Sequence, residues 1–169
     1  LHRSAPLHDI GKVGIPDQIL LKPGKLTPTE WAIMKTHARL GSEAIEQAER
    51  DIEMPLPFLA LSKEIAHWHH EKWDGSGYPD ELSGDAIPVS ARLMAIADVF
   101  DALICARVYK HAFSYEEAHA IISEGRAKHF DPDVTDAFLA AFSAFTAIVD
   151  RYRDAATDPG QGERSPPTR

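Results

Sequence analysis

Apolar residues in this chain recur at helical spacing in one stretch after another, and nowhere do they alternate for long enough to build a strand. Leu93, Ile96, Ala97, Phe100, Leu103 and Ile104 mark one stripe, and Val134, Phe138, Phe142, Phe145 and Val149 mark a second. A period near 3.6 puts such residues on one helix face, whereas a half-buried strand needs a period of two. Helix starts are equally plain. Thr27-Pro28-Thr29-Glu30 and Ser114-Tyr115-Glu116-Glu117 each place a hydroxyl at the N-cap and a glutamate three residues on, so that each satisfies an amide the helix leaves open. The fold class that follows is all-α, with the two stripes as core.

This pattern predicts a helix end over residues 1–9 and helices over 27–37, 42–50, 58–72, 89–106, 114–125 and 131–149, with Leu40-Gly41 as a break. Residues 74–88, DGSGYPDELSGDAIP, hold too much glycine and proline for a helix. A loop of that length in a compact domain is ordered or functional. From Arg153 onward apolar residues almost vanish, so 1–152 is read as one domain and 153–169 as a disordered tail. The chain opens on Leu1 in mid-pattern and is read as a piece of a longer protein.

Composition removes several function classes. Lys and Arg number 18 against 26 Asp and Glu, a formal charge of −8, which argues against a nucleic-acid polymer as partner. The most apolar run, residues 137–149, lies between Asp136 and Asp150, well short of the roughly 20 residues a bilayer span needs. A single cysteine, Cys105, cannot form an internal disulfide, which fits the cytoplasm. Its place in an apolar helix reads as core rather than nucleophile.

Nine histidines are the strongest chemical signal. His8-Asp9, His37, His69-His70-Glu71 and the pair Asp98 and Asp101 stand on or at the ends of predicted helices, and side chains projecting inward from several helices are how bundles build carboxylate/histidine metal sites. Residues adjacent on a helix diverge by about 100°, so His69 and His70 do not easily chelate one ion and are expected to serve two neighbouring ions or the two sides of a cluster, with Asp9 able to bridge while His8 binds terminally. The absence of cysteine among these donors favours Mn, Fe or Zn. His2, His67, His111, His119 and His129 read as ordinary surface or core residues. His70-Glu71 lacks the second histidine of a zinc protease, because Asp74 stands there. Gly11-Lys12 has too few glycines before it for a phosphate loop.

LHDIGKVGIPD (7–17) and HHEKWDGSGYP (69–79), followed by ARLMAIADVFDAL (91–103), ARVYK (106–110) and FDPDV (130–134), resemble the HD-GYP family, a branch of the HD metal-dependent phosphohydrolases. The resemblance covers about residues 3–145. It implies an HD-type helical bundle with a long GYP loop, and a bacterial cyclic di-GMP phosphodiesterase yielding pGpG and GMP through a metal-bridged hydroxide. It implies His8, Asp9, His37, His69, His70 and Asp98 as ligands of two or three divalent ions, iron or manganese. Asp9 and Lys12 take the catalytic positions, and Lys12, Tyr78, Asp101, Arg107 and Lys110 the nucleotide-contacting ones.

The family's first helix, which supplies a further histidine, is expected to lie before Leu1, leaving this chain a ligand short. Cys105-Ala106 stands where the family often has a polar pair. By the residues alone, Arg107 and Lys110 fit a solvated helix end equally well. The expected partners are cyclic di-GMP, a diguanylate cyclase domain docking through the GYP loop, and an upstream regulatory domain. Two other readings stay open: a non-catalytic sensing or docking module, and an HD phosphohydrolase acting on another nucleotide.

Overall fold

The computed structural model describes residues 3–51, 56–105 and 112–157, with side chains to residue 152. Among them lie eight α-helices, three short 3-10 turns and no strand. These are α1 (Asp17–Leu20), α2 (Pro28–Lys35), α3 (His37–Asp51), α4 (Pro57–Trp68), α5 (Val89–Ile104), α6 (Tyr115–Glu124), α7 (Pro132–Ala140) and α8 (Phe142–Thr157). Both expected capping boxes open their helices. The Thr27 hydroxyl accepts from the Glu30 amide while Glu30 accepts from Thr27, and Ser114 and Glu117 repeat the exchange.

Two apolar clusters hold the bundle. Ile96, Phe100, Leu103, Ile104, Ala118, Ile122, Phe130 and Phe138 are buried where α5, α6 and α7 meet, with Phe142 and Val149 of α8 against them. Each such Ile or Phe contributes roughly 1.5–3 kcal/mol. A smaller cluster, Ile45, Leu59 and Ala66 with Leu7 and Phe58, joins α3 to α4 and the N-terminal turns. Because α4 also packs on α5, the two clusters frame a junction. The end of α4, the start of α3, the N-terminal turns and the middle of α5 meet there.

Several boundaries differ from those expected, each for a physical reason. Residues 3–9, the described part of the first segment, do not end an α-helix. The chain makes two 3-10 turns, Ala5–Leu7 and Ile10–Gly14. The break between α2 and α3 falls at Thr36, whose hydroxyl donates to the Ile33 carbonyl at 2.7 Å, and α3 runs through Gly41 unbroken. Gly41 is there for contact: a Cβ on it would come 3.2 Å from the Gly11 amide nitrogen. The second stripe is split at Ala141, so that α7 and α8 meet across a 64° bend and Phe145 is left 38% exposed. Helix α8 continues to Thr157, past the tail boundary expected at Arg153. Cys105 ends α5 on the exposed surface rather than in the core, its thiol 3.5 Å from the Asp101 carboxylate. No single helix among the described residues is long and apolar enough to cross a membrane.

Candidate metal centre

The site begins with a glycine. Gly11 sits so close to α3 that a Cβ would fall 1.9 Å from the His37 carbonyl oxygen and 2.4 Å from the Gly41 nitrogen. This backbone-to-backbone contact seats the turn carrying His8, Asp9 and Lys12 on the first residues of α3. One Asp9 oxygen, Oδ1, then lies 3.4 Å from His37 Nε2 and 3.9 Å from His69 Nε2. The other, Oδ2, lies 3.3 Å from His8 Nε2 and takes a short contact from the Lys12 ammonium. Asp98 on α5 approaches His8 Nε2 at 3.7 Å.

Helix α4 ends at Trp68, with His69 as its cap. The backbone turns there, and both rings enter one cluster with centroids 3.9 Å apart. Asp9, His37, His69 and His70 each present one donor atom, and these four atoms all lie within 4.8 Å of one another.

The imidazoles are oriented by their backs. Nδ1 of His37 donates to the Met34 carbonyl at 2.7 Å, and Nδ1 of His69 to that of Ile65 at 2.9 Å. A carbonyl can only accept, so these bonds fix the proton on Nδ1 and turn the Nε2 lone pair inward. His69 Nε2 and Asp9 Oδ1 are both buried, and neither has a hydrogen-bond partner among the described residues. His37 Nε2 and His70 Nε2 face each other at 3.1 Å. Buried acceptors that lack a donor, as His69 Nε2 and Asp9 Oδ1 do, are costly without something positive beside them. A divalent cation suits this nitrogen and oxygen donor set, and no thiolate belongs to it.

Electrostatics agree with that reading. Burial disfavours charge on His69 and His70 and pushes them down to about 4 and about 3, so both are neutral donors at pH 7. Burial works the same way on His8, but the carboxylates of Asp9 and Asp98 outweigh it and push His8 up to about 10. Burial opposes ionisation of Asp9, yet His8 and Lys12 hold its carboxyl well below the usual range. A cation bound by His8 must therefore displace a proton.

Residues 69–84 wrap the site. Tyr78 stacks on His70, centroids 4.8 Å apart at 30°, and meets His37 edge-on at 6.4 Å. The Tyr78–Pro79 bond is cis. Sequence reasoning missed what pins this loop. Glu71, 2% exposed, accepts the amides of Asp80 and Leu82 at 2.7 and 3.1 Å. Glu81 between them has a left-handed φ of 57°, which turns both amides the same way. Asp80 accepts from Trp68 Nε1 at 2.8 Å and contacts His67, read above as ordinary, at 3.0 Å. Arg92 bonds Asp131 and the Ile87 carbonyl and lies over Trp73. The signal for Glu71 was its place in HHE, where a buried carboxylate beside two histidines needs a partner.

Asp101 lies exposed on α5, apart from the donor cluster. Arg107 and Lys110, like His2 and His111, fall outside the described residues.

The HD domain profile matches residues 1–134. A cyclic di-GMP phosphodiesterase of Vibrio cholerae is 61% identical over 92% of this chain and 32% of its own length. A cyclic di-GMP phosphodiesterase of Thermotoga maritima is 45% identical over 94% of the chain and 42% of its own length. The 3'3'-cGAMP-specific phosphodiesterase 2 of Vibrio cholerae is 46% identical over 88% of the chain and 27% of its own length. The chain thus spans well under half of each of these relatives.

Proposed function

Because the chain belongs to the HD domain family, and by its two motifs to the HD-GYP branch, we propose that it is a metal-dependent phosphodiesterase domain that opens cyclic di-GMP to pGpG and GMP. The observation that carries this reading is the pair of buried acceptors, Asp9 Oδ1 and His69 Nε2, converging with His37 and His70 without a hydrogen-bond partner. In this reading His8, Asp9, His37, His69, His70 and Asp98 hold two divalent ions, or three in a longer parent, with iron or manganese as the metal. Asp9 would be the bridging ligand, since its two oxygens face different histidines. Such ions, when bound, bring the pKa of a water towards ~7 and neutralise phosphate charge.

The protein's own groups supply the rest. Lys12 stands beside Asp9, where its ammonium stabilises charge growing on phosphoryl oxygens. Tyr78 covers one face of His70, keeps water from it, and offers its own ring to a nucleotide. Asp101, Arg107 and Lys110 complete the nucleotide contacts in this proposal. The loop that carries Tyr78 is held by Glu71 and leaves Ser76, Asp80 and Glu81 exposed, a fixed face for a diguanylate cyclase domain. A regulatory domain elsewhere in the parent and a cytoplasmic location complete the reading, the latter in keeping with a lone thiol.

The similarity to a 3'3'-cGAMP-specific enzyme favours one second reading, in which the mixed dinucleotide is the substrate. The test is hydrolysis with manganese or ferrous iron added, both dinucleotides followed by chromatography. The expected result is pGpG and GMP from cyclic di-GMP. Preference for 3'3'-cGAMP would reassign the substrate. Metal uptake with no turnover of either would overturn the enzyme and leave a sensing or docking module.

A further inference from the structure

Beyond the metal donors, a groove of about 200 Å³ runs between the α2–α3 junction and the GYP loop, lined by Ala32, Lys35, Thr36, Arg39, Tyr78 and Pro79. Two cations border it, and they differ. Arg39 is engaged by Glu43 at 3.0 Å. Lys35 is half-buried and has no carboxylate partner among the described residues. Its ammonium lies over the Tyr78 ring, 5.7 Å from the centroid. Lys22 and Lys63, by contrast, each pair with a glutamate. An ammonium kept on an aromatic face, in a protein of net charge −8, is a cation left available for an anion.

Its position says which anion. Tyr78 is the shared wall: one contact is the stack on His70, another the edge-on approach to His37, and a third is Lys35. Lys35 therefore stands one ring beyond the metal donors, on the GYP side, whereas Lys12 stands among them at Asp9. A cyclic dinucleotide carries two phosphodiesters in one ring, and only one can be attacked at a time. The other must rest nearby, and it is repelled by an acidic domain unless a cation meets it. We infer that Lys35 binds the phosphate that is not being cut and so selects dinucleotides over substrates with one phosphate. This rests on the phosphodiesterase reading above and adds a specificity residue to it.

The test is binding by manganese-loaded protein of three kinds, wild type, Lys35→Gln and Lys35→Arg. The probes are the hydrolysis-resistant bis-phosphorothioate analogue of cyclic di-GMP and, as the single-phosphate comparator, GMP. Loss of one charge-assisted contact predicts an analogue Kd raised about tenfold in Lys35→Gln, and largely restored in Lys35→Arg. GMP affinity stays within about twofold, because its one phosphate meets the metal donors and Lys12. Cleavage of bis(p-nitrophenyl) phosphate, which has a single phosphodiester, should be the same in all three proteins. Unchanged analogue binding in Lys35→Gln, or equal weakening of analogue and GMP, overturns the inference. A wild type that cleaves the small diester yet does not bind the analogue overturns the inference and leaves the metal chemistry standing. A wild type that neither cleaves the diester nor binds the analogue overturns the phosphodiesterase reading, and the inference with it.

Discussion

Gly11→Ala is the perturbation that most sharply separates the scaffold of the site from its ligands, for it touches no donor atom. The new methyl would start 1.9 Å from the His37 carbonyl oxygen and 2.4 Å from the Gly41 nitrogen. Both neighbours are backbone and cannot rotate aside. Restoring ordinary contact requires the turn and α3 to part by about 1.5 Å. The 3.4 Å between Asp9 Oδ1 and His37 Nε2 then opens towards about 5 Å, whereas two donors about 2.1 Å from one ion are at most about 4.2 Å apart. Overpacking against backbone belongs at the upper end of the usual range, about 3 kcal/mol, or a Tm lowered by roughly 6–12 °C in a domain of this size. Manganese affinity should fall at least about 100-fold, since a ligand itself is displaced. Gly14→Ala is the control. Its Cβ meets only the Leu40 side chain, at 3.0 Å, and should cost under about 1 kcal/mol. The assays are thermal unfolding and manganese titration. A Gly11→Ala protein with wild-type Tm and wild-type manganese affinity would show that this contact does not set the site.

Glu71→Gln leaves one acceptor for two amides and sets an NH2 against the other, so the urea midpoint should report a loss of about 1.5–3 kcal/mol. A midpoint within error of wild type would mean the loop is anchored elsewhere. Chelator-stripped protein should lose stability from pH 7 to pH 5. His69 and His70 sit at about 4 and about 3 when folded and near 6.5 when unfolded, so the unfolded chain takes up protons first and stability falls with pH through that window. His8, held at about 10, acts oppositely: its stabilisation is full below about 6.5 and is lost as pH rises towards 10. Equal urea midpoints at pH 7 and pH 5 would contradict burial of neutral His69 and His70. Tyr78→Ala should weaken dinucleotide binding while leaving metal content intact, and unchanged binding would deny the ring a role.

The helical class and the starts of two helices were legible because capping boxes and apolar stripes are local signals, and Thr27–Glu30 and Ser114–Glu117 formed as written. The short helix Asp17–Leu20, with no stripe or capping box, was not. Where the chain departed, the cause was a contact between distant segments. Gly41 reads as a break by propensity, yet it lies within α3 because the Gly11 backbone must approach it. The single long stripe ending at Val149 carried no sign of the bend at Ala141. At the site, the pairing of histidine with carboxylate pointed to segments that the fold brings together. What pairing could not supply was the partners of Glu71, which lie 9 and 11 residues further on.

The central claim is that the buried, unpartnered donors exist to hold divalent metal. Its most direct measurement is equilibrium titration of the chelator-stripped protein with manganese, read by the loss of free-ion electron paramagnetic resonance, for wild type and His69→Ala. Folding of the variant is checked in parallel by circular dichroism. The account predicts saturable uptake by wild type and, in folded His69→Ala, affinity lower by at least about 100-fold. Equal uptake by the two proteins, or none by wild type, would contradict it.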